Sequence, residues 1–203
     1  MKRTIEALMR LRALFLPAFA LALSGSPAQA HLITTGLGPV YDGISHFLMS
    51  PEDFVPAFAL ALLAGQCGPR AARGVLFGLP AAWFVGGLAG LTVALPMPPP
   101  LTWLSFVVTG GLLAANLKLP SSAILALATS LGLFHGFLNG SALSSDGAGL
   151  GSLTGICATL FVLAALLAAA VISFSQPTAR IAYRVLGSWT TAIGMLMFAW
   201  WMR

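Results

Sequence analysis

The stretch HFLMSPEDFVPAFALALLAG (residues 46–65) sets a histidine and two carboxylates directly against a long apolar run. The whole chain has only five acidic residues and three histidines, so their crowding here asks for a cause. Two readings are open. Ser50-Pro51-Glu52-Asp53 has the chemistry of a helix start: Ser50 can cap, Pro51 suits the first helical position, and Asp53 completes an S-x-x-D box. Both acids would also complement the positive end of the helix dipole. Alternatively, the cluster holds a cation. The apolar run is long enough to lie in a membrane, and an ionisable group inside a membrane span marks a functional site by default.

The rest of the chain fits a membrane setting. Of 203 residues, 58% are hydrophobic and only 7% charged, with a mean hydropathy of +0.93. A soluble domain carries roughly a quarter charged residues, so the composition predicts an all-α, polytopic membrane helix bundle. The net charge of +5 does not indicate a nucleic-acid partner, because the basic residues are scattered singly and form no patch or run.

Four of the ten basic residues fall in the first twelve positions. MKRTIEALMRLR followed by ALFLPAFALAL and SGSPAQA reads as a signal peptide over residues 1–30, cleaved after Ala30. Its apolar core is too short for a span of about 20 residues. The mature chain, a single transmembrane domain over 31–203, then begins at His31. Six spans are expected at about 38–66 (broken near Ser50), 73–95, 101–117, 121–139, 150–174 and 180–202. They are separated by CGPR, PMPPP, KLPSS, SALSSDGAG and SQPTAR. Lysine and arginine placement orients them. Arg70, Arg73, Lys118, Arg180 and Arg184 fall on the cytoplasmic side and only Arg203 outside, which puts the mature N-terminus on the periplasmic face of a bacterial inner membrane. Cys67 and Cys157 fall at different depths and are not expected to pair, and no Cys/His zinc spacing occurs.

In this topology Asp42, Glu52, Asp53, Asp146, His31, His46 and His135 all lie on the outer side or in the outer half of the membrane. Acidic residues contribute little to topology, so insertion does not require this segregation; an outward-facing cation site would. Asp42 and His46 stand at i and i+4, on one helical face. In the fourth span, LGLFHGFLNG carries Gly132, Gly136 and Gly140 at every fourth residue, a small-residue stripe that lets another helix approach closely. His135 and Asn139 flank that stripe and are expected to face the bundle, either as polar glue between helices or as ligands. Imidazole with carboxylate and amide oxygen suits nickel, cobalt, copper or zinc better than magnesium or calcium. A free N-terminus at His31 adds an amine and an imidazole that can chelate together.

These residues together resemble the HupE/UreJ family of hydrogenase and urease accessory membrane proteins, regarded as nickel or cobalt permeases. The features that carry the resemblance are a cleaved signal followed at once by His31, six spans, a first-span histidine separated by five residues from an acid, and His135-Gly136 in a glycine-rich helix. The family's first-span pattern, approximately H-P-x-x-G-x-D-H, falls on residues 46–53. His46 matches; Ser50 replaces glycine, Glu52 replaces aspartate, and Asp53 replaces the second histidine. The later pattern, H-G-x-x-H-G-x-E, is met by His135, Gly136 and Gly140, with Asn139 in place of its second histidine and Ala142 in place of its acid. The resulting donor set is harder, with fewer imidazoles.

The resemblance implies a transport protein for a divalent metal, nickel or cobalt, taken from the outer side. The expected metal ligands are His46, Glu52, Asp53 and His135, with Asp42, Asn139 and His31 secondary. The metal is substrate, and no tightly bound cofactor is expected. No ATP-binding G-x-x-x-x-G-K-[ST] occurs. Inward passage would rely on carbonyls, hydroxyls such as Thr109 and Ser130, or sulfur. The alternative is a non-transporting accessory or assembly protein that meets another membrane subunit, or a second copy of itself, through glycine-lined helices. An enzyme is not expected, because no nucleophile motif such as G-x-S-x-G appears.

Overall fold

The computed structural model describes residues 35–93, 99–144, 149–174 and 176–203. The expected signal peptide, His31 and Asp146 lie outside these residues. Seven helices are described: α1 (Pro39–Met49), α2 (Pro51–Cys67), α3 (Pro69–Thr92), α4 (Pro99–Ala115), α5 (Ser121–Leu143), α6 (Gly149–Ser173) and α7 (Pro177–Trp201). The described part is thus an all-helical bundle, as its composition predicts.

The chain breaks at Ser50. A residue before proline is driven from the helical region by the proline ring, and Ser50 is extended, with φ −99° and ψ 93°. The axes of α1 and α2 therefore meet at a bend of 76°. Beyond the break, α2 is buried on every side. Ala59, Leu60, Ala61, Leu62, Leu63, Ala64, Gly65 and Gln66 are all buried in succession, the pattern of a helix at the centre of a bundle. It packs against α3, α4 and α6.

Glycine sets the tightest contacts around it. A Cβ on Gly136 of α5 would stand 2.1 Å from the Trp83 carbonyl oxygen of α3, and one on Gly140 would stand 2.1 Å from that of Gly87. From the other side, Gly86 and Gly90 of α3 sit as closely against the carbonyls of Leu133 and Phe137. The stripe expected from sequence is therefore one half of a reciprocal backbone contact, in which only glycine fits. The bent helix α1 docks on α6 in the same way, through Gly43 against Ser152 and Gly155 against Val40. Helices α4 and α7 form the other closely packed pair.

By length and composition, α3, α5 and α6 can each cross a membrane, and the bent α1–α2 pair adds a fourth span if it is one. Helix α4 is apolar but only 17 residues long, under the usual crossing length. Helix α7 has 25 residues but carries Arg180 and Arg184 in its first turns. The outer surface is rich in exposed large apolar side chains, among them Leu166, Trp189, Leu196 and Trp200. Exposure on this scale on a bundle whose core is already filled is the pattern of an integral membrane protein. Both cysteines are free.

Candidate functional site

The polar centre forms where the first turn of α2 meets α5. Asp53 is 3% exposed and His135 fully buried. His135 Nδ1 lies 2.8 Å from Asp53 Oδ1, and the Asn139 amide donates to Asp53 Oδ2 at 2.8 Å. One carboxylate thus bridges two residues that stand one helical turn apart on α5. Trp83, held over this turn by the glycine contact, stacks on the His135 ring at 5.4 Å with an interplanar angle of 26°. Phe47 closes the far side of Trp83, edge to face at 5.8 Å.

This arrangement corrects one local expectation. Ser50 makes no side-chain cap; the first turn of α2 closes on its backbone carbonyl, which accepts from the N–H groups of Asp53 and Phe54. Asp53 has turned away from the helix start because both its oxygens find stronger partners across the bundle. A carboxylate removed from water must be met by charge or by hydrogen bonds, and His135 and Asn139 supply them.

The far nitrogen of the imidazole meets a residue that the sequence did not single out. His135 Nε2 lies 3.1 Å from Ser105 Oγ of α4. The order carboxylate–imidazole–hydroxyl is that of a nucleophilic triad, but the donor count points elsewhere. A hydroxyl has one hydrogen, and Ser105 donates its own to the Thr102 carbonyl at 2.6 Å. With the Ser105 hydrogen given to Thr102, Nε2 is left to donate to Ser105 Oγ. Ser105 was illegible because a serine one turn behind Thr109 reads as ordinary helix polarity.

Two buried polar atoms at this centre have no partner among the described residues: the Asn139 carbonyl oxygen, Oδ1, and the Trp83 indole N–H. Such orphans are rare in a packed interior and ask for a reason.

Of the remaining expected ligands, Glu52, His46 and Asp42 make no hydrogen bond to this cluster. Glu52 is exposed on the first turn of α2. His46 is buried on α1, at 8% exposure. Asp42 does not face inward with it: its carboxylate accepts from both the backbone N–H and the hydroxyl of Thr35, each at 2.6 Å. Among the described residues, no group of three or more His, Cys, Asp or Glu side chains converges as a metal centre would. Of the expected set, Asp53, His135 and Asn139 are brought together.

A family model described as HupE / UreJ protein matches residues 19–197, most of the chain. The chain belongs to the HupE/UreJ family. No curated protein and no solved structure matches it significantly. In this HupE/UreJ chain, three positions of the two family patterns quoted above, now Asp53, His135 and Asn139, meet at one point although 82 residues separate Asp53 from His135.

Proposed function

We propose that this HupE/UreJ protein transports a divalent transition metal, nickel or cobalt, and takes the ion from the periplasmic side of the bacterial inner membrane at the Asp53–His135–Asn139 cluster. The observation that carries this reading is the Asn139 Oδ1, a buried acceptor without a partner beside a carboxylate and an imidazole. Together they offer two oxygens and a nitrogen, a set suited to late divalent metals. Exposed Glu52 is the first group an arriving ion meets, and buried His46 lies across the helix break. The ion sheds water onto these groups and displaces the hydrogen bonds that Asp53 and His135 make to each other, so each contact is weak enough to release it again. Ser105, Thr109 and Ser130 also line an apolar pocket of about 240 Å³ between α4 and α5. The six-span topology, with the signal peptide removed and the N-terminus periplasmic, belongs to this proposal. So does the absence of catalysis.

The test is uptake of nickel and cobalt by cells that lack their own importers, expressing the native chain or His135→Ala at equal membrane levels. Uptake that appears with the native chain and disappears with the variant is the expected result. No uptake from the native chain, across nickel, cobalt, copper and zinc, overturns transport.

A second reading has its own support. Both Asp53 oxygens are already taken by protein groups, and no three-ligand group converges among the described residues. This favours a membrane accessory or assembly protein in which the polar cluster holds α2, α4 and α5 in register.

A further inference from the structure

At the other end of α2 the chain turns sharply into α3 through Gly68, whose φ of +105° only glycine adopts without strain. Beside this turn lies a cavity of about 200 Å³, bounded by the end of α2, the start of α3, the segment before α5 and the first turns of α7. Its lining includes Gln66, Lys118, Arg180 and Tyr183, with Ile172 and Phe174 on one side.

Three independent features give it one chemical character. Lys118 and Arg180 bring two positive charges, and among the described residues neither meets a carboxylate. Lys118 donates one hydrogen to the main-chain carbonyl oxygen of Gln66, which anchors the ammonium and leaves two donors free. Arg180 has no side-chain hydrogen bond within the described residues and keeps its whole guanidinium fork. Next, α3 begins at the cavity with Gly68 and Pro69 and no side-chain cap, so the positive end of its dipole lies beside the cavity, although the Gly68 N–H is bonded to the Ala64 and Gly65 carbonyls and Pro69 has none. Finally, Gln66 is 92% buried by its 8% exposure, yet neither its amide nitrogen nor its oxygen has a hydrogen-bond partner among the described residues. A buried amide left without a partner costs more than a replaced one, and the cavity it lines carries two cations.

We propose that this cavity binds a phosphate-type oxyanion, through the Lys118 ammonium, the Arg180 guanidinium and the Gln66 amide. Arg is suited to phosphate by its planar fork and Lys by its point charge. The exposed apolar Ile172 and Phe174 beside the cations favour the phosphate of an anionic phospholipid over free phosphate, since chains leaving the headgroup would run down that side. Basic pockets between membrane helices on the cytoplasmic side hold headgroups in this manner. The site is separate from the Asp53–His135–Asn139 cluster, and its occupancy does not depend on metal binding.

The test uses the full purified protein in nanodiscs of phosphatidylcholine alone, of phosphatidylcholine with phosphatidylglycerol, and of phosphatidylcholine with inorganic phosphate added. Thermal unfolding reports stabilisation, and native mass spectrometry reports retained lipid. The expected result is a rise in midpoint with phosphatidylglycerol and one retained anionic lipid. Retention should weaken about tenfold in Arg180→Gln and in Gln66→Leu. A rise with inorganic phosphate alone that both variants abolish supports the site and assigns it to the free anion. Equal retention by native protein and both variants, or no response to either probe, overturns the proposal. Neither variant touches the Lys118 anchor, and a phosphatidylcholine midpoint within a few degrees of native confirms that each is folded.

Discussion

Asp53 and Gln66 stand near the two ends of one helix, about 20 Å apart by helical rise, and both are buried polar side chains. Their surroundings differ completely. Asp53 is met from across the bundle by His135 and Asn139, and His135 passes the contact on to Ser105. Among the described residues, Gln66 is met by nothing that its side chain can bond, and the two cations close by meet no carboxylate. The first end is closed around its carboxylate, both of whose oxygens are bonded, although Asn139 Oδ1 and the Trp83 N–H beside it have no partner among the described residues. The second is open, with donors and positive charge facing a cavity. Burial alone therefore does not mark a binding site; what separates these two side chains is that both oxygens of Asp53 are bonded within the protein, while neither polar atom of the Gln66 side chain is bonded among the described residues.

The largest effect that would break this comparison is expected at the closed end. Asp53→Ala leaves the His135 imidazole and the Asn139 amide buried without their partner, and should destabilise the protein by about 3–5 kcal/mol. Thermal or denaturant unfolding in detergent measures it. A loss below about 1 kcal/mol would mean that water already reaches the cluster, and that this end is open too.

A smaller loss is expected from the backbone contact that positions the cluster. Gly136→Ala places a methyl group 2.1 Å from the Trp83 carbonyl oxygen, which α3 must yield to at about 1–3 kcal/mol. Gly111→Ala is the matched control: its nearest neighbour, Thr191 Oγ1, is 3.9 Å away, and its unfolding midpoint should stay near that of the native protein.

At the open end the sign reverses. Gln66→Leu removes two unpartnered polar groups and should stabilise lipid-free protein by about 1 kcal/mol, read from the same unfolding curves. A destabilisation of that size would show that the amide is bonded and would erase the contrast between the two ends. The smallest effect belongs to Glu52→Gln. An exposed side chain beside the cluster but bonded to none of it should shift stability by no more than about 0.5 kcal/mol, while initial metal uptake falls if Glu52 captures the ion.

Much of this was legible in the residues. The Ser50-Pro51 break follows from the steric rule at proline, and it was correctly expected between a helix bearing His46 and one bearing Asp53. The spacing of Gly132, Gly136 and Gly140 announced a close helix neighbour, and so placed His135 and Asn139 inside the bundle. Other features were not legible. Glu52 and Asp53 are adjacent acids in the same first turn, and nothing local says that one is exposed while the other is buried. The S-x-x-D pattern favoured a cap, because a local bond is the only partner a sequence displays. Asp42 was aligned with His46 by helical period, yet it bonds Thr35, a residue ahead of the helix.

Composition, glycine spacing and the proline break thus determined by themselves that this chain is a helical membrane bundle with a bent first helix, because those features act through backbone geometry and apolar burial within a few turns. Which polar groups meet was decided only by tertiary structure. Asp53, Ser105, His135 and Asn139 come from three helices, and their pairing depends on the rotation and depth at which those helices pack. The same holds for Gln66, Lys118 and Arg180, whose shared cavity exists only because the turn at Gly68 and the start of α7 are brought together.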